Sequence, residues 1–125
     1  MRLLLDTHVL LWWLSNDPSL APKAEAAIAN PRTTVFVSAA SAWEIGIKQA
    51  LGKLDAPNDL QDRVGLNRFE PLSISISHAH SAGTLPRHHT DPFDRMLVAQ
   101  ALAEGLTIVT RDSRLSPYDV PTLPA

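Results

Sequence analysis

Four acids carry most of the chemical information in this sequence: Asp6, Glu44, Asp94 and Asp112. Asp6 directly follows the apolar run Leu3-Leu4-Leu5, and Asp112 follows the run Leu106 to Thr110 with only Arg111 between. Glu44 lies about one turn into a helical stretch that leaves Val35-Phe36-Val37, and Asp94 lies in the first turn of a helix opened by Asp91-Pro92. Carboxylates gathered together repel, by about 4 kcal/mol per pair at about 4 Å and an effective dielectric of about 20. Two relieve this by sharing a proton; three or four do so better around a hard divalent cation such as Mg²⁺ or Mn²⁺, which prefers oxygen donors. An ion held this way generates hydroxide and steadies an in-line phosphoryl displacement. Phosphodiester hydrolysis is the chemistry to expect.

That chemistry requires the four acids to meet, and the elements around them allow it. Leu3 to Leu5 read as a buried strand, solidly apolar as a parallel sheet covered on both faces demands. Thr7 to Leu14 reads as a helix, stopped by Ser15-Asn16-Asp17-Pro18. A second helix covers Pro22 to Ala29, Val35 to Val37 form a second strand, and Ser38 or Ser41 caps a third helix running to about Leu51. Asn58 to Leu66 is a polar helix or loop, Phe69 to Ile76 a strand or edge segment, and His78 to Leu85 a short helix closed by Pro86. Arg87-His88-His89-Thr90 reads as an exposed loop. Asp91 at the N-cap, Pro92 at the first position and Asp94 at the third make the clearest helix start in the chain, and Gly105 ends that helix. Leu106 to Thr110 is a strand, and Val120 to Leu123 adds a last short one.

Strands alternating with helices specify an α/β fold with a mainly parallel sheet. In such a sheet Asp6 and Asp112 emerge at the same, carboxyl, edge, where open sheets place their ligand crevice. The helices carrying Glu44 and Asp94 begin at that edge too. All four acids can therefore share one rim.

Taken one at a time, each has an ordinary role. Asp6 can cap the following helix. Glu44 can form an exposed pair with Lys48, Asp94 can complement a helix dipole, and Asp112 can be a turn residue in Arg111-Asp112-Ser113. Their coincidence on one rim is what these roles leave unexplained. Trp43, Ile47, Ala50 and Leu54 fall on one helical stripe and read as core.

Composition narrows the class. At 125 residues and 45% hydrophobic, the chain suits one globular domain. With a net charge of −2 there is no global basic field, so any nucleic-acid contact must be local. Arg87, Arg95, Arg111 and Arg114 lie near the acidic motifs and are available for phosphates, although each alone suits an ordinary surface charge. Cysteine is absent, which excludes disulfides, thiolate catalysis and cysteine zinc sites. Asp6 and His8 interrupt the N-terminal apolar run, so it reads neither as a signal peptide nor as a span, and a cytoplasmic protein free of the membrane is expected.

Leu-Leu-Asp6-Thr-His, Ser-Ala-Trp43-Glu44-Ile, Asp91-Pro-Phe-Asp94-Arg-Met-Leu-Val-Ala-Gln and Val-Thr-Arg111-Asp112 resemble, in order and spacing, the PIN-domain nucleases. Within these they look like VapC-type toxins of bacterial toxin–antitoxin pairs. The resemblance covers essentially the whole chain. It implies a single PIN-like nuclease domain over residues 1–125, a three-layer α/β/α sandwich around a mainly parallel sheet. It implies an endoribonuclease dependent on Mg²⁺ or Mn²⁺, restrained by a cognate antitoxin and commonly a homodimer. The family's catalytic, metal-binding acids fall on Asp6, Glu44, Asp94 and Asp112. Asp91 matches the family pattern but suits the helix cap better. Thr7 and Thr110 sit where similar proteins use hydroxyls to orient carboxylates or waters.

Other readings fit less well. A receiver-type phospho-acceptor domain needs a lysine after a late strand, and the only lysines are Lys23, Lys48 and Lys53. A haloacid-dehalogenase-like phosphatase wants Asp-x-Asp after the first strand, where this chain has Asp6-Thr7-His8. A zinc hydrolase would draw on His88-His89 or on His78 and His80, but adjacent histidines point apart and His-Glu-x-x-His is absent. The remaining alternatives are a non-catalytic binding module on the same fold, which should lack one of the acids, and a metal-dependent phosphohydrolase with another substrate.

Overall fold

The computed structural model describes residues 1–125. The strands are β1 (Arg2–Leu5), β2 (Thr34–Ser38), β3 (Glu70–Leu72), β4 (Thr107–Thr110) and β5 (Thr122–Pro124). The helices are α1 (Thr7–Leu14), α2 (Pro22–Ala29), α3 (Ala39–Ala50), α4 (Leu60–Leu66), α5 (Ile76–Thr84) and α6 (Pro92–Glu104), with a 3₁₀ turn at Ser113–Leu115. The five strands form one sheet in the order β3-β2-β1-β4-β5, and every neighbouring pair is parallel.

β1 is the central strand. Leu3 and Leu5 point into one core, with Val9 and Leu10 of α1, Ala24 and Ile28 of α2, Ile45 of α3 and Val64 of α4. Leu4 points the other way, into a second core with Leu97, Val98 and Ala101 of α6 and with Leu115, Tyr118 and Val120. A strand covered on both faces needs apolar side chains in both directions, which is why this run does not alternate. Helices on both faces make the expected three layers. The chain winds from β1 to β2 and β3 on one side, then crosses to β4 and β5 on the other. The direction of winding changes between β1 and β4, and that is where the carboxyl edge opens.

Three expectations are corrected. The stripe Trp43, Ile47, Ala50 is not core: α3 turns Ala40, Ser41, Glu44 and Ile45 inward, and Trp43 is 64% exposed. Turning Glu44 toward the sheet edge rotates its neighbour Trp43 about 100° away, so one helix cannot bury both. Of that stripe only Leu54, beyond the helix, packs against the core. The strand near Phe69–Ile76 is only three residues long, because Ser75 caps α5. The Ser75 hydroxyl accepts from the His78 N–H at 3.0 Å, while His78 Nδ1 accepts from the Ser75 N–H at 3.1 Å. This reciprocal cap places Ile76 on the helix's first turn, 91% exposed, instead of in a sheet. Finally, the loop before α6 is not exposed throughout: His89 is buried. α6 itself begins and ends as its sequence dictates, with Asp91 at the N-cap and Gly105 closing it at φ 67°.

Candidate active site

Asp6 leaves β1 at the point where the winding reverses, and both of its oxygens are used. Oδ1 accepts from the Val9 N–H at 2.9 Å, capping α1, and Oδ2 accepts from the Thr110 hydroxyl at 2.6 Å. The capping role and the clustered role thus belong to one side chain. Thr110 also accepts from the Asp112 N–H at 3.0 Å, so a single hydroxyl ties the acid after β1 to the acid after β4. Glu44, 4% exposed, accepts from the Thr7 hydroxyl at 2.6 Å through Oε1 and from Lys48 Nζ at 2.6 Å through Oε2. The pair with Lys48 expected at the surface exists, but its acid end is buried. The two threonines orient carboxylates as the resemblance implied.

The remaining acids come from the loop and first turn around α6. Asp91 Oδ1 accepts from the N–H groups of Phe93 and Asp94 at 2.8 and 3.2 Å, which is the capping role. Asp94 faces the pocket, and its Oδ2 lies 2.8 Å from His89 Nε2. The same nitrogen lies 3.3 Å from Asp112 Oδ2. Asp112 is also clasped by Arg114, whose Nε and Nη2 donate to its two oxygens at 3.0 and 2.9 Å.

These groups line one cavity of about 400 Å³. Asp6, Glu44, Asp91, Asp94 and Asp112 supply its carboxylates; Lys48, Arg111 and Arg114 supply cations, with His8 and Trp12 beside them. All four sequence-derived acids therefore meet in one pocket, and Asp91 joins them while capping its helix. Burial pushes the Asp6 carboxyl up, and burial with the nearby Asp91 charge pushes Asp94 up to about 6. Asp112 moves the other way, to about 2, because Arg114 hydrogen-bonds its charged form. Two acids reluctant to ionise beside three that supply oxygen at one pocket form a donor set suited to a hard divalent cation.

Two residues depart from their sequence reading. The sequence reads His89 as part of an exposed loop, yet it is buried against two of the acids. The available signal was its place two residues before a capping aspartate, where a side chain can fold back over the helix start. The sequence leaves Arg95 available for phosphates, but it is buried and donates to the carbonyls of Gly83, Leu85, Pro86 and His89. Arg111 lies against Trp12, its guanidinium carbon 4.3 Å from the ring centre, and donates to the Ala125 carbonyl at 2.8 Å and to the Ser19 carbonyl.

The sequence model of the PIN domain matches residues 3–121. The chain belongs to the PIN-domain family. Among characterised members it is 31% identical to ribonuclease VapC22 of Mycobacterium tuberculosis over 126 aligned positions, covering 94% of this chain and 92% of that protein. Ribonuclease VapC16 of the same organism is 38% identical over 71 positions, about half of each chain (52% and 50%). This PIN domain is accordingly a homologue of the VapC ribonucleases. Its fold matches that of VapBC2 from Rickettsia felis, solved bound to a promoter DNA fragment, at a TM-score of 0.72 and 17% identity, covering 98% of both chains. A toxin–antitoxin complex from Klebsiella pneumoniae matches at 0.65 and 18% identity, over 97% of this chain and 95% of that one. The five carboxylates described above therefore lie in the pocket of a PIN fold.

Proposed function

We propose that this chain is the toxin of a toxin–antitoxin pair, an endoribonuclease that hydrolyses RNA phosphodiester bonds with a Mg²⁺ or Mn²⁺ ion held by Asp6, Glu44, Asp94 and Asp112. The observation that carries this reading is the convergence of five carboxylates on one pocket at the reversal point of a parallel sheet, with three cations beside them. When bound, the ion supplies Lewis acidity and a water ready to act as hydroxide. The chain's own residues do the rest. Thr110 and Thr7 fix Asp6 and Glu44, so the carboxylates need no reorganisation to receive charge. Lys48 and Arg114 keep donors at the pocket for phosphate oxygens while they neutralise Glu44 and Asp112. Hydrolysis breaks one P–O bond and leaves a phosphate monoester on one fragment and a hydroxyl on the other.

Partners and location follow the same reading. The kinship with VapC ribonucleases and the toxin–antitoxin complex among the similar folds support a small cognate antitoxin covering the pocket. Exposed Trp43, Ile47 and Leu51 on α3 and just beyond it support a protein contact, as in a homodimer. No helix is long and apolar enough to cross a membrane. Action on cellular RNA is what would place the chain in the cytoplasm.

The test is incubation of the purified chain with total RNA, with Mn²⁺ and separately with EDTA, mapping any new ends. Cutting that needs Mn²⁺ and disappears in Asp94→Asn is expected. Cutting undiminished by EDTA would remove the metal, and cutting undiminished in Asp94→Asn would remove this site. Co-purification from the native operon should yield a tight, salt-resistant small partner.

A further inference from the structure

His89, Asp94 and Asp112 place ligand-type atoms within 4.8 Å of one another, a spacing that by itself suits a mixed nitrogen and oxygen metal site. The other side of the imidazole argues against that. His89 Nδ1 accepts from the Asp91 N–H at 3.3 Å, so that nitrogen carries a lone pair and no proton. In a neutral ring the proton must then be on Nε2, the atom 2.8 Å from Asp94 Oδ2 and 3.3 Å from Asp112 Oδ2. To ligate through Nε2, the ring would have to move its proton to Nδ1, against a backbone N–H that already points there.

The main chain that carries the ring is held as well. The His89 N–H donates to the Tyr118 hydroxyl at 3.1 Å, and the His89 carbonyl accepts from Arg95 Nη1 at 3.2 Å. Tyr118 in turn donates to the Pro86 carbonyl at 2.7 Å. The residue is 4% exposed, so water offers Nε2–H no alternative acceptor. With Nδ1 held by the Asp91 N–H, the ring presents Nε2 between two acids that come from different elements, one from α6 and one from just beyond β4.

We propose that His89 is a positioning residue of the nuclease centre: protonated on Nε2, it holds the Asp94 and Asp112 carboxylates together as a hydrogen-bond donor and does not ligate the metal. The ion is left to the carboxylates of Asp6, Glu44, Asp94 and Asp112, with the imidazole outside its coordination shell. The inference rests on the function proposed above for the ion, but its hydrogen-bond geometry stands without one.

Nitrogen-15-labelled histidine in the metal-free chain gives the first readout, through long-range proton–nitrogen correlation, with the His89 signals identified by their loss in His89→Gln. A protonated Nε2 and a bare Nδ1 are expected; a proton on Nδ1 overturns the proposal. Addition of Mg²⁺ should shift neighbouring signals while Nε2 keeps its proton, and a deprotonated, ion-shifted Nε2 overturns it. If no signal responds to Mg²⁺, the metal reading fails while the protonated Nε2 still upholds the hydrogen-bond role.

RNA cleavage gives the second readout. A glutamine amide can donate from nearly the same place as Nε2 but is a poor metal ligand. His89→Ala should lower kcat by about 10- to 100-fold with KM nearly unchanged, as loss of an orienting partner does, and His89→Gln should recover most of it. Equal loss in the two variants, with melting temperatures matched, overturns the proposal. A chain that cuts no RNA under any condition overturns the proposed function instead, and the nitrogen spectrum then decides the role of His89 alone.

Discussion

Arg95 Nη1 donates to the backbone carbonyl of His89 at 3.2 Å, so the first turn of α6 and the loop before it are bound into one piece. The guanidinium has no carboxylate partner; its acceptors are four carbonyls and the Tyr118 hydroxyl. A buried cation satisfied this way depends on the planar fork of donors that only arginine offers.

Arg95→Lys should therefore be costly despite keeping the charge. One ammonium cannot reach acceptors on both sides of the fork, and each one left unpaired costs about 1–3 kcal/mol. A loss of about 3 kcal/mol is expected, roughly 10 °C in melting temperature for a domain of this size. Amide exchange should quicken in residues 83–89. A drop of only a degree or two would mean that the loop holds itself.

Asp6→Asn separates repulsion from capping. Asparagine caps a helix about as well as aspartate, so capping alone predicts little change. Burial makes the Asp6 charge costly, however, and a neutral side chain escapes that cost. The metal-free variant should gain about 1 kcal/mol. Millimolar Mn²⁺ should stabilise the parent clearly and the variant much less, since binding to the native state raises stability by mass action. Equal metal responses in four paired melts would reduce Asp6 to a cap.

Asp94 and Asp112, displaced in opposite directions, make opposite contributions to the stability of the metal-free protein in acid. Asp94 titrates at about 6 when folded, above its ordinary 3.8, so the folded state holds the proton longer and stability declines as pH rises from about 4 to about 6. Asp112 titrates at about 2, below its ordinary 3.8, so its contribution is lost as pH falls from about 4 to about 2. Denaturant unfolding across this range should show both limbs. Asp94→Asn should flatten the upper limb. Mn²⁺ should reverse it, because the ion competes with the proton and binds better above pH 6.

Trp43→Ala tests the exposed face of α3. Truncating a core tryptophan costs about 3–5 kcal/mol. Trp43 is 64% exposed, and its aromatic neighbour is Phe93, edge-on with ring centres 5.4 Å apart. A loss under about 1 kcal/mol is expected in dilute solution. Sedimentation of the same variant should show weaker self-association.

Much of the site was legible because its acids lie at element boundaries that short-range rules define. Asp6 and Asp112 follow apolar runs, and Asp91-Pro92 announces a helix start whatever surrounds it. What stayed hidden depends on long-range geometry. The burial of His89 requires Tyr118 and Arg95 to close over a loop whose composition is polar. The exposure of Trp43 follows from a choice between two overlapping apolar stripes on α3, settled by the pocket that Glu44 faces. The brevity of β3 reflects a cap by Ser75 that competes with strand pairing.

The position of β1 at the centre of a wholly parallel sheet also governs when the pocket can exist during synthesis. Its neighbours β2 and β4 lie far downstream, so β1 emerges well before the strands it pairs with. Translation at about 5–20 residues per second takes roughly 5 to 20 s to cross the interval between Asp6 and Asp112. Throughout that time the nascent chain carries acids but no pocket, and its central strand waits unpaired on one side. A ribosome-bound fragment ending before residue 107 lacks β4, and with it the Thr110 hydroxyl that joins Asp6 to Asp112. Cleavage activity should accordingly arise late and in one step, as β4 docks beside β1.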